Sequence, residues 1–310
     1  MYHYVESRGK KRYNYLVENI RAGGKWKKAK VYIGSGHIGR VRLQKLIKKN
    51  SAQLKMNEGR IRRETDLLYA LLSGEQLEKI GQIKSLYAKS VSGRVKQVQQ
   101  NYYEGFVTEF TYDTSAIEGS SVSLEETGMI LFDKVLPKGK YISELREIEN
   151  HKDAFDYMIN YKGEINKQFV LKLHKLLTHN ILWKHSGVFR DVQVIIRGSD
   201  FMPPKPEDVE NEFKKLMNWY RLNKRRYNPV TVAAYFHFVF ESVHPFMDGN
   251  GRVGRLLLNF ILRKSMLPMI NIKNSRKDDY YLALKEGNKG DVKPLATLVY
   301  KYLIESKIWV

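Results

Sequence analysis

The sequence predicts a mainly α-helical protein with a short β-hairpin and a small, basic N-terminal module that contains β-strands. Apolar residues recur at a spacing near 3.6 from residue 144 to residue 304, which is typical of amphipathic helices. Residues 12–20 and 28–33 instead alternate apolar and polar side chains, as strands do. Of the 310 residues, 43% are hydrophobic and 28% are charged, a balance that excludes wholesale disorder.

The first hundred residues change from strand to helix patterning. Residues 12–20 and 28–33 predict two strands, and the Ala-Gly-Gly-Lys at 22–25 predicts a hairpin turn between them. From about Val41 the spacing becomes helical and stays so through residues 97–101. We therefore expect a β-containing module over residues 1–50, a helical connector over 51–107 and the main domain over 108–310.

The positive charge is concentrated in the N-terminal module. The chain has a formal charge of +21, and residues 1–60 hold 16 of the 54 Lys and Arg but 3 of the 33 Asp and Glu. A surplus of this density attracts polyanions, so nucleic acid is a candidate partner of this module. The alternative is that the charge serves only solubility.

Several classes of protein are excluded by composition. The absence of cysteine excludes a disulfide scaffold, a thiolate metal site and a cysteine nucleophile. No apolar run approaches the roughly 20 residues that a membrane-spanning helix needs, and the N-terminus lacks a secretion signal pattern. We expect a cytoplasmic protein that makes no membrane contact.

Helices dominate the main domain. One segment breaks the helical pattern: at residues 192–204 a β-branched run leads to Gly-Ser and then to Pro203 and Pro204, which predicts a short β-hairpin. Its edge either holds an extended peptide or is a purely structural edge blunted by proline. The predicted helices cover residues 144–161, 166–179, 206–223, 229–243, 251–264 and 294–304.

A glycine-rich segment follows the predicted strands. The string from Gly34 to Val41 has the form G-x-G-x-x-G-x-V, which occurs over nucleotide phosphates. A kinase would also need its lysine strand and its H-R-D and D-F-G motifs, and a dinucleotide fold would need alternating strands and helices; the sequence offers none of these. We interpret the glycines as the turn that ends a small sheet.

The strongest chemical signal is the twelve-residue string His-Pro-Phe-Met-Asp-Gly-Asn-Gly-Arg-Val-Gly-Arg at 244–255. Pro245 disfavours helical geometry in the residue before it, so the preceding helix must end near His244. The glycines can take positive φ and turn amides toward a ligand at the start of the next helix. Arg252 and Arg255 share a helix face, so both can reach one phosphate chain.

Two further residues of this string point to phosphate chemistry. Asp248 beside a phosphate site requires a bridging divalent metal, and Mg²⁺ suits such an oxygen-rich setting. His244 is the group suited to accept a hydroxyl proton near neutral pH. A solvated interhelical turn is the alternative, and a string of this composition disfavours it.

The string fills every position of H-P-F-x-[DE]-G-N-[GK]-R-x-x-R, and with it the chain resembles the Fic family. The resemblance extends to the Gly-Val-Phe-Arg at 187–190 and covers residues 108–303. It implies a Fic-type helical domain and a protein adenylyltransferase, an enzyme that moves AMP from ATP to a Ser, Thr or Tyr hydroxyl of a target protein and releases pyrophosphate.

The resemblance also implies roles for individual residues. His244 would deprotonate the target hydroxyl, Phe246 would pack beneath the loop, and Asp248 would hold Mg²⁺. Arg252 would contact the β-phosphate and Arg255 the γ-phosphate. The remaining implied contacts are phosphate donors at Gly249, Asn250 and Gly251, an adenosine pocket at Tyr281 and Asn288, and a target-binding flap at Val192, Val194, Ile195 and Ile196.

An inhibitory element is implied as well. The Thr-Ser-Ala-Ile-Glu-Gly at 114–119 resembles the family's motif [ST]-x-x-x-E-[GN]. Glu118 would form an ion pair with Arg255 and block the γ-phosphate, so the enzyme would be autoinhibited.

Three alternatives to this function remain open. Within the family, the enzyme would remove AMP from a modified protein or transfer another nucleotide. In a different class, the chain would be a nucleic-acid-binding regulator that acts through its N-terminal module. Members of the family often pair, so a homodimer is a further expectation.

Overall fold

The structure is a computed structural model that describes residues 1–22, 25–92, 96–135, 137–182, 184–196 and 199–306. By compactness the chain divides into two units, Met1–Leu71 and Leu72–Val310. The turn predicted at Gly23 and Gly24 lies outside the described residues.

The first unit is a three-stranded antiparallel sheet with one long helix. The strands β1 (Tyr2–Arg8), β2 (Lys11–Ala22) and β3 (Lys25–Ser35) pair in that order, and α1 (Arg40–Thr65) packs on β2 and β3. One sheet face and α1 share an apolar cluster, because alternate strand residues point to the same side. That cluster contains Leu16, Ile20, Ala29, Val31, Ile33 and Leu54.

The glycine-rich segment lies between β3 and α1. Gly34 and Gly36 have positive φ, and both carbonyls accept hydrogen bonds from the buried Asn14 side chain. The segment is thus a braced turn at the end of the sheet, in agreement with the structural interpretation.

The second unit is helical, which confirms the predicted fold class. Its α-helices are α2 (Gly74–Ser92), α3 (Lys96–Ile117), α4 (Leu124–Gly128), α5 (Ile142–Asn160), α6 (Lys167–Leu177), α7 (Pro206–Asn223), α8 (Pro229–Val243), α9 (Asn250–Lys264), α10 (Lys277–Asn288) and α11 (Lys293–Glu305). At the centre of the unit α8 packs along α9. α9 also contacts α3, α5 and α6, while α8 contacts α7, α10 and α11. Within the described residues no helix combines the length and apolar character needed to cross a bilayer.

The predicted hairpin at 192–204 is the exception. Its described residues, 192–196 and 199–204, contain no strand. Pro203 and Pro204 have no N–H to contribute to a ladder, and side chains join the two legs instead: Gln193 donates to the Pro203 carbonyl at 3.3 Å. The prediction of paired strands was wrong here, although the legs do lie side by side.

Candidate active site

A short loop joins the two central helices. α8 ends at Val243, and His244 follows in the left-handed conformation, with φ 47° and ψ 60°. Pro245 explains the end of the helix, since it disfavours helical geometry in its predecessor. A non-glycine residue in this conformation is strained, and such strain clusters at functional sites. The surrounding contacts hold it there.

The loop is braced from within and from below. The Asn250 side chain accepts from the Phe246 N–H at 2.9 Å and donates to the Phe246 carbonyl at 2.8 Å. Phe246 is fully buried and stacks on His174, with ring centroids 3.8 Å apart. His174 Nδ1 accepts from the Gly187 N–H, so its Nε2 carries the hydrogen and donates to the Asp248 carbonyl at 3.1 Å.

Arg190 ties the loop to the segment at 192–204. The residue is 3% exposed, and its backbone N–H donates to the Pro245 carbonyl at 2.9 Å. Its guanidinium donates to the carbonyls of His244 (2.8 Å), Val192 (3.0 Å) and Pro204 (2.5 Å). One buried cation therefore fixes both ends of that segment beside His244.

The His244 imidazole is arranged to act as a base. Its Nδ1 lies 3.2 Å from the Glu241 carbonyl, which can only accept, so Nδ1 carries the hydrogen and Nε2 keeps a lone pair. Burial lowers the pKa of His244, the hydrogen bond to Glu241 opposes this shift in part, and the charge of Arg190 lowers the pKa further. The ring is therefore neutral near pH 7.

Asp248 is the exposed carboxylate of the loop. One of its oxygens accepts from the Gly249 N–H at 2.6 Å, and the other lies 3.1 Å from Nη2 of Arg252. No group of three or more His, Cys, Asp or Glu residues that could hold a metal occurs among the described residues. A single exposed carboxylate does fit Mg²⁺, which keeps several waters and binds one or two carboxylates together with substrate phosphates.

Arg255 is paired by Thr114 of α3 and by Glu118, the residue that directly follows this helix. Its Nη2 donates to Glu118 Oε1 at 2.6 Å and to the Thr114 carbonyl at 3.1 Å, and its Nε donates to Thr114 Oγ1 at 2.6 Å. Burial alone would lower the pKa of Arg255, but Glu118 and Tyr280 raise it above its ordinary value. The guanidinium is thus a permanent cation held by the motif at 114–119.

The Glu118 carboxylate also lies at the start of α9. A Cβ added to Gly251 would lie 2.2 Å from Glu118 Oε1, so any larger residue would displace this oxygen from its present place. The first N–H groups of a helix have no intrahelical partner and favour an anion. Of the two glycines around Asn250, only Gly249 has positive φ, at 77°. The expectation of positive φ was wrong for Gly251, whose role is to leave space.

Other predicted residues lie around this centre. Tyr281 donates from its hydroxyl to the Ile117 carbonyl at 3.0 Å, and the Asn288 side chain accepts from the Ser242 hydroxyl at 3.3 Å. The flap residues Val192 and Ile195 are exposed, whereas Val194 and Ile196 are half-buried.

Sequence reasoning assigned no contact to Arg190, His174 or Thr114. Each bonds a residue more than fifty positions away, and no local spacing reports such a contact. The available signals were the Gly-Val-Phe-Arg at 187–190 and the first position of the motif at 114–119, and both came from the family resemblance.

Comparisons with known proteins agree with this geometry. The sequence profile of the Fic/DOC family matches residues 164–262. The protein adenylyltransferase Fic of Nematostella vectensis is 30% identical over 237 residues, which cover 74% of this chain and 54% of that protein. The protein adenylyltransferase Fic of Drosophila grimshawi is 32% identical over 194 residues, which cover 61% of this chain and 39% of that protein.

A solved structure shares the fold. Fic-1 (residues 134–508) from C. elegans aligns with a TM-score of 0.66 at 24% identity, over 84% of this chain and 83% of that one. The chain spans about half or less of the length of the two adenylyltransferases described above. The profile match includes the loop at 244–255, so these findings identify residues 164–262 as a Fic/DOC domain.

Proposed function

We propose that this chain is an autoinhibited protein adenylyltransferase, which transfers AMP from ATP to a Ser, Thr or Tyr hydroxyl of a target protein and releases pyrophosphate. One observation carries the proposal: the Glu118 carboxylate, an anion, lies on Arg255 at the start of α9, where a phosphate would bind. The name of the relatives, protein adenylyltransferase Fic, supports the same reaction.

His244 is the proposed catalytic base. The target hydroxyl gives its proton to Nε2 of the neutral imidazole, and the hydroxyl oxygen forms a bond to the α-phosphorus of ATP. The bond from that phosphorus to the oxygen bridging to the β-phosphate breaks, and pyrophosphate leaves with the electron pair. A base with a pKa near or below the working pH suits this step.

The phosphate chain is stabilised by cations and backbone amides. Arg252 is proposed to contact the β-phosphate and Arg255 the γ-phosphate, and the backbone N–H groups of Asn250 and Gly251 point along the α9 axis. The Asn250 side chain is already hydrogen-bonded to the Phe246 backbone, so Asn250 would contact a ligand through its own backbone N–H. Asp248 would hold Mg²⁺, which when bound neutralises charge on the phosphates.

Glu118 is proposed to inhibit by occupying the place of the γ-phosphate. The carboxylate repels that phosphate and satisfies the arginine that would bind it. A triphosphate that settles without Arg255 presents its α-phosphorus off the line of attack, and a misplacement of about 1 Å can cost roughly a hundredfold in rate.

The target and the adenosine are proposed to bind on either side of this centre. The segment with Val192, Val194, Ile195 and Ile196 would hold an extended target by its backbone, which tolerates varied sequences. Tyr281 and Asn288 would line the adenosine pocket. Arg190 links the target segment to His244, so a held hydroxyl would lie near the base.

Labelled ATP tests the proposal most simply. The Glu118→Gly variant, incubated with α-labelled ATP and Mg²⁺, should label itself or added proteins more strongly than the wild type, and adding His244→Ala should abolish the label. A matched control is Glu125→Gln, an exposed glutamate on α4, which should behave as the wild type. No label in any variant would overturn the proposal, and loss of AMP from a modified protein with the wild type alone would indicate AMP removal instead.

Further expectations accompany this function as proposals. The chain would act in the cytoplasm and pair as a homodimer. Its basic N-terminal module would bind nucleic acid on account of the charge surplus in residues 1–60.

A further inference from the structure

The three-stranded sheet of the first unit has one face that its core does not use. The clustered apolar residues of β2 and β3 lie on the face toward α1. Val17 is the buried apolar residue of β2 on the other side, beside Tyr2 and Lys30. The opposite face, called here the open face, carries Tyr4, Tyr15, Trp26, Lys28, Lys30 and Tyr32. These aromatic side chains therefore lie on the face of the sheet that α1 does not cover.

Exposure on the open face is high for such large side chains. Trp26 is 72% exposed, Tyr32 50% and Tyr4 37%. Trp26 and Tyr32 lie six residues apart on β3, a span of roughly 20 Å. The face is thus long enough for several nucleotides of an extended strand rather than for a single small molecule.

Five of these side chains, Tyr4, Tyr15, Lys28, Lys30 and Tyr32, form one continuous network, and Trp26 lies beyond it on β3. The rings of Tyr15 and Tyr32 lie 5.6 Å apart at 60°. The Lys30 ammonium lies 5.4 Å from the Tyr4 ring centroid and 5.8 Å from that of Tyr15, and the Lys28 ammonium lies 5.9 Å from that of Tyr4. Ring faces and fixed positive charges therefore alternate across the open face.

The charges of the open face are available to a ligand. Within the described part of the chain, neither Lys28 nor Lys30 pairs with a carboxylate. The acid on the same side of β1, Glu6, is bonded to Arg8 at 2.9 Å. A polyanion would therefore meet uncompensated lysines.

From this geometry we propose that the open face binds single-stranded nucleic acid. Unstacked bases would stack on Trp26 and Tyr32 while the lysines contact the phosphates, which is the combination that sequence-tolerant single-strand binders use. Duplex DNA keeps its base faces stacked and would use the lysines alone. The proposal concerns the first unit and does not depend on AMP transfer.

Fluorescence anisotropy on the full chain tests the proposal. The probes are a labelled 20-nucleotide oligo-dT, the matching oligo-U and a labelled 20-base-pair duplex, each at several salt concentrations. We expect both single strands to bind more tightly than the duplex. Trp26→Ala and Tyr32→Ala should each weaken single-strand binding about fivefold or more, whereas Trp26→Phe and Tyr32→Phe should retain it.

The lysines have their own readout and control. Lys28→Ala and Lys30→Ala should each make the salt slope shallower by about 0.7. The double variant Lys48→Ala, Lys49→Ala removes from exposed positions on α1 the same charge that Lys28→Ala and Lys30→Ala remove together. It should leave binding nearly unchanged. The proposal is overturned if no strand binds, if the duplex binds as tightly, or if the alanine variants of Trp26 and Tyr32 bind like the wild type while circular dichroism shows them folded.

Discussion

Three arginines, each at most 3% exposed, organise the candidate site at the scale of single residues. Arg190 bonds backbone carbonyls, Arg252 pairs with Asp248, and Arg255 pairs with Glu118. The planar fork of arginine can serve several acceptors at once, which a lysine ammonium cannot match in geometry. Each buried charge is therefore useful only as long as its partners stay in place.

Arg190→Lys should separate positioning from nucleotide binding. A lysine cannot reach the carbonyls of His244, Val192 and Pro204 together, so the target segment and the base lose their common anchor. In the Glu118→Gly background we expect AMP transfer to fall about tenfold or more, while the affinity for Mg-ATP stays near that of the parent. Transfer assays and calorimetry measure the two quantities.

A matched arginine serves as the control for this prediction. Arg221 on α7 donates to Asn218, and both residues belong to the same helix. Arg221→Lys should leave AMP transfer unchanged. If Arg190→Lys behaves in the same way, Arg190 has no positioning role.

At the scale of elements, the position of α3 determines whether Glu118 reaches Arg255. Near the end of this helix Asp113, which is 4% exposed, accepts from the Asn274 N–H at 2.8 Å and from the Asn271 side chain at 2.7 Å. Tyr281 donates to the Ile117 carbonyl one turn later. These bonds fasten the inhibitory end of α3 to the segment before α10 and to α10 itself.

Asp113→Ala should therefore relieve part of the inhibition. Without these two bonds and the ion pair of Asp113 with Lys273 at 3.3 Å, α3 is held less firmly. We expect AMP incorporation above the wild type but below Glu118→Gly. The double variant Asp113→Ala, Glu118→Gly should gain nothing over Glu118→Gly alone, since both changes act on one contact.

Glu109→Gln is the control from the same helix. Glu109 pairs with Lys273 at 2.6 Å near the protein surface, one turn before Asp113. We expect wild-type incorporation from this variant. Equal activation by both changes would indicate a general loosening of α3 rather than a specific fastening.

The elements that the sequence predicted well are those whose ends carry a local signal, such as a capping residue or a proline. α7 and α8 begin at Pro206 and Pro229, and the Asn228 side chain caps α8 by accepting from the Val230 N–H. Proline at the first helical position and an asparagine cap are visible in the sequence itself. Their observed bounds match the prediction.

The elements that the sequence missed depend on their neighbours. β1 is an edge strand with mostly exposed side chains, so it has no apolar alternation to detect. The β-branched run from Val192 to Ile196 indicated a strand, but Arg190 and Gln193 join its legs by side-chain bonds instead of a ladder. The hydrophobic pattern of the sequence does not show whether two segments are joined by side chains or by a strand ladder.

At the scale of the whole molecule, the site depends on contacts between distant parts of the chain. Glu118 and Arg255 are 137 positions apart, and Thr114 and Arg255 are 141 apart. The loop at 244–255 could be identified from its own residues, because its chemistry is local. The inhibitory pairing could be anticipated only through the family resemblance, since the fold brings the two elements together.

Buried titratable groups predict how the free energy of unfolding varies with pH. Burial lowers the pKa of His151 and His237 to about 3 and that of His174 to about 4. Below about pH 6.5 these histidines bind protons in the unfolded chain but stay neutral in the folded protein, so the free energy of unfolding decreases as the pH falls. Burial also raises the pKa of Glu241 from 4.5 to about 8, against the charge of Arg255. The stability that its bound proton contributes is therefore lost as the pH rises from about 4.5 to about 8.

Stability should therefore be greatest near neutral pH and fall more steeply on the acid side, where three groups act. Urea unfolding from pH 4.5 to pH 9 measures the curve. Glu241→Gln should remove the fall between about pH 6.5 and pH 8 and make the acid limb steeper, because Glu241 opposes the three histidines between about pH 4.5 and pH 6.5. A wild-type curve that climbs steadily to pH 9 would contradict this assignment.

The most direct test of the central claim is the calorimetric comparison of Mg-ATP with Mg-ADP. With Arg255 held by Glu118, the wild type should bind both alike. Glu118→Gly should prefer ATP by about tenfold or more, the value of a hydrogen bond between charged groups, and adding Arg255→Ala should remove the preference. Failure of Glu118→Gly to bind Mg-ATP, or equal binding of the two nucleotides by that variant, would contradict the account.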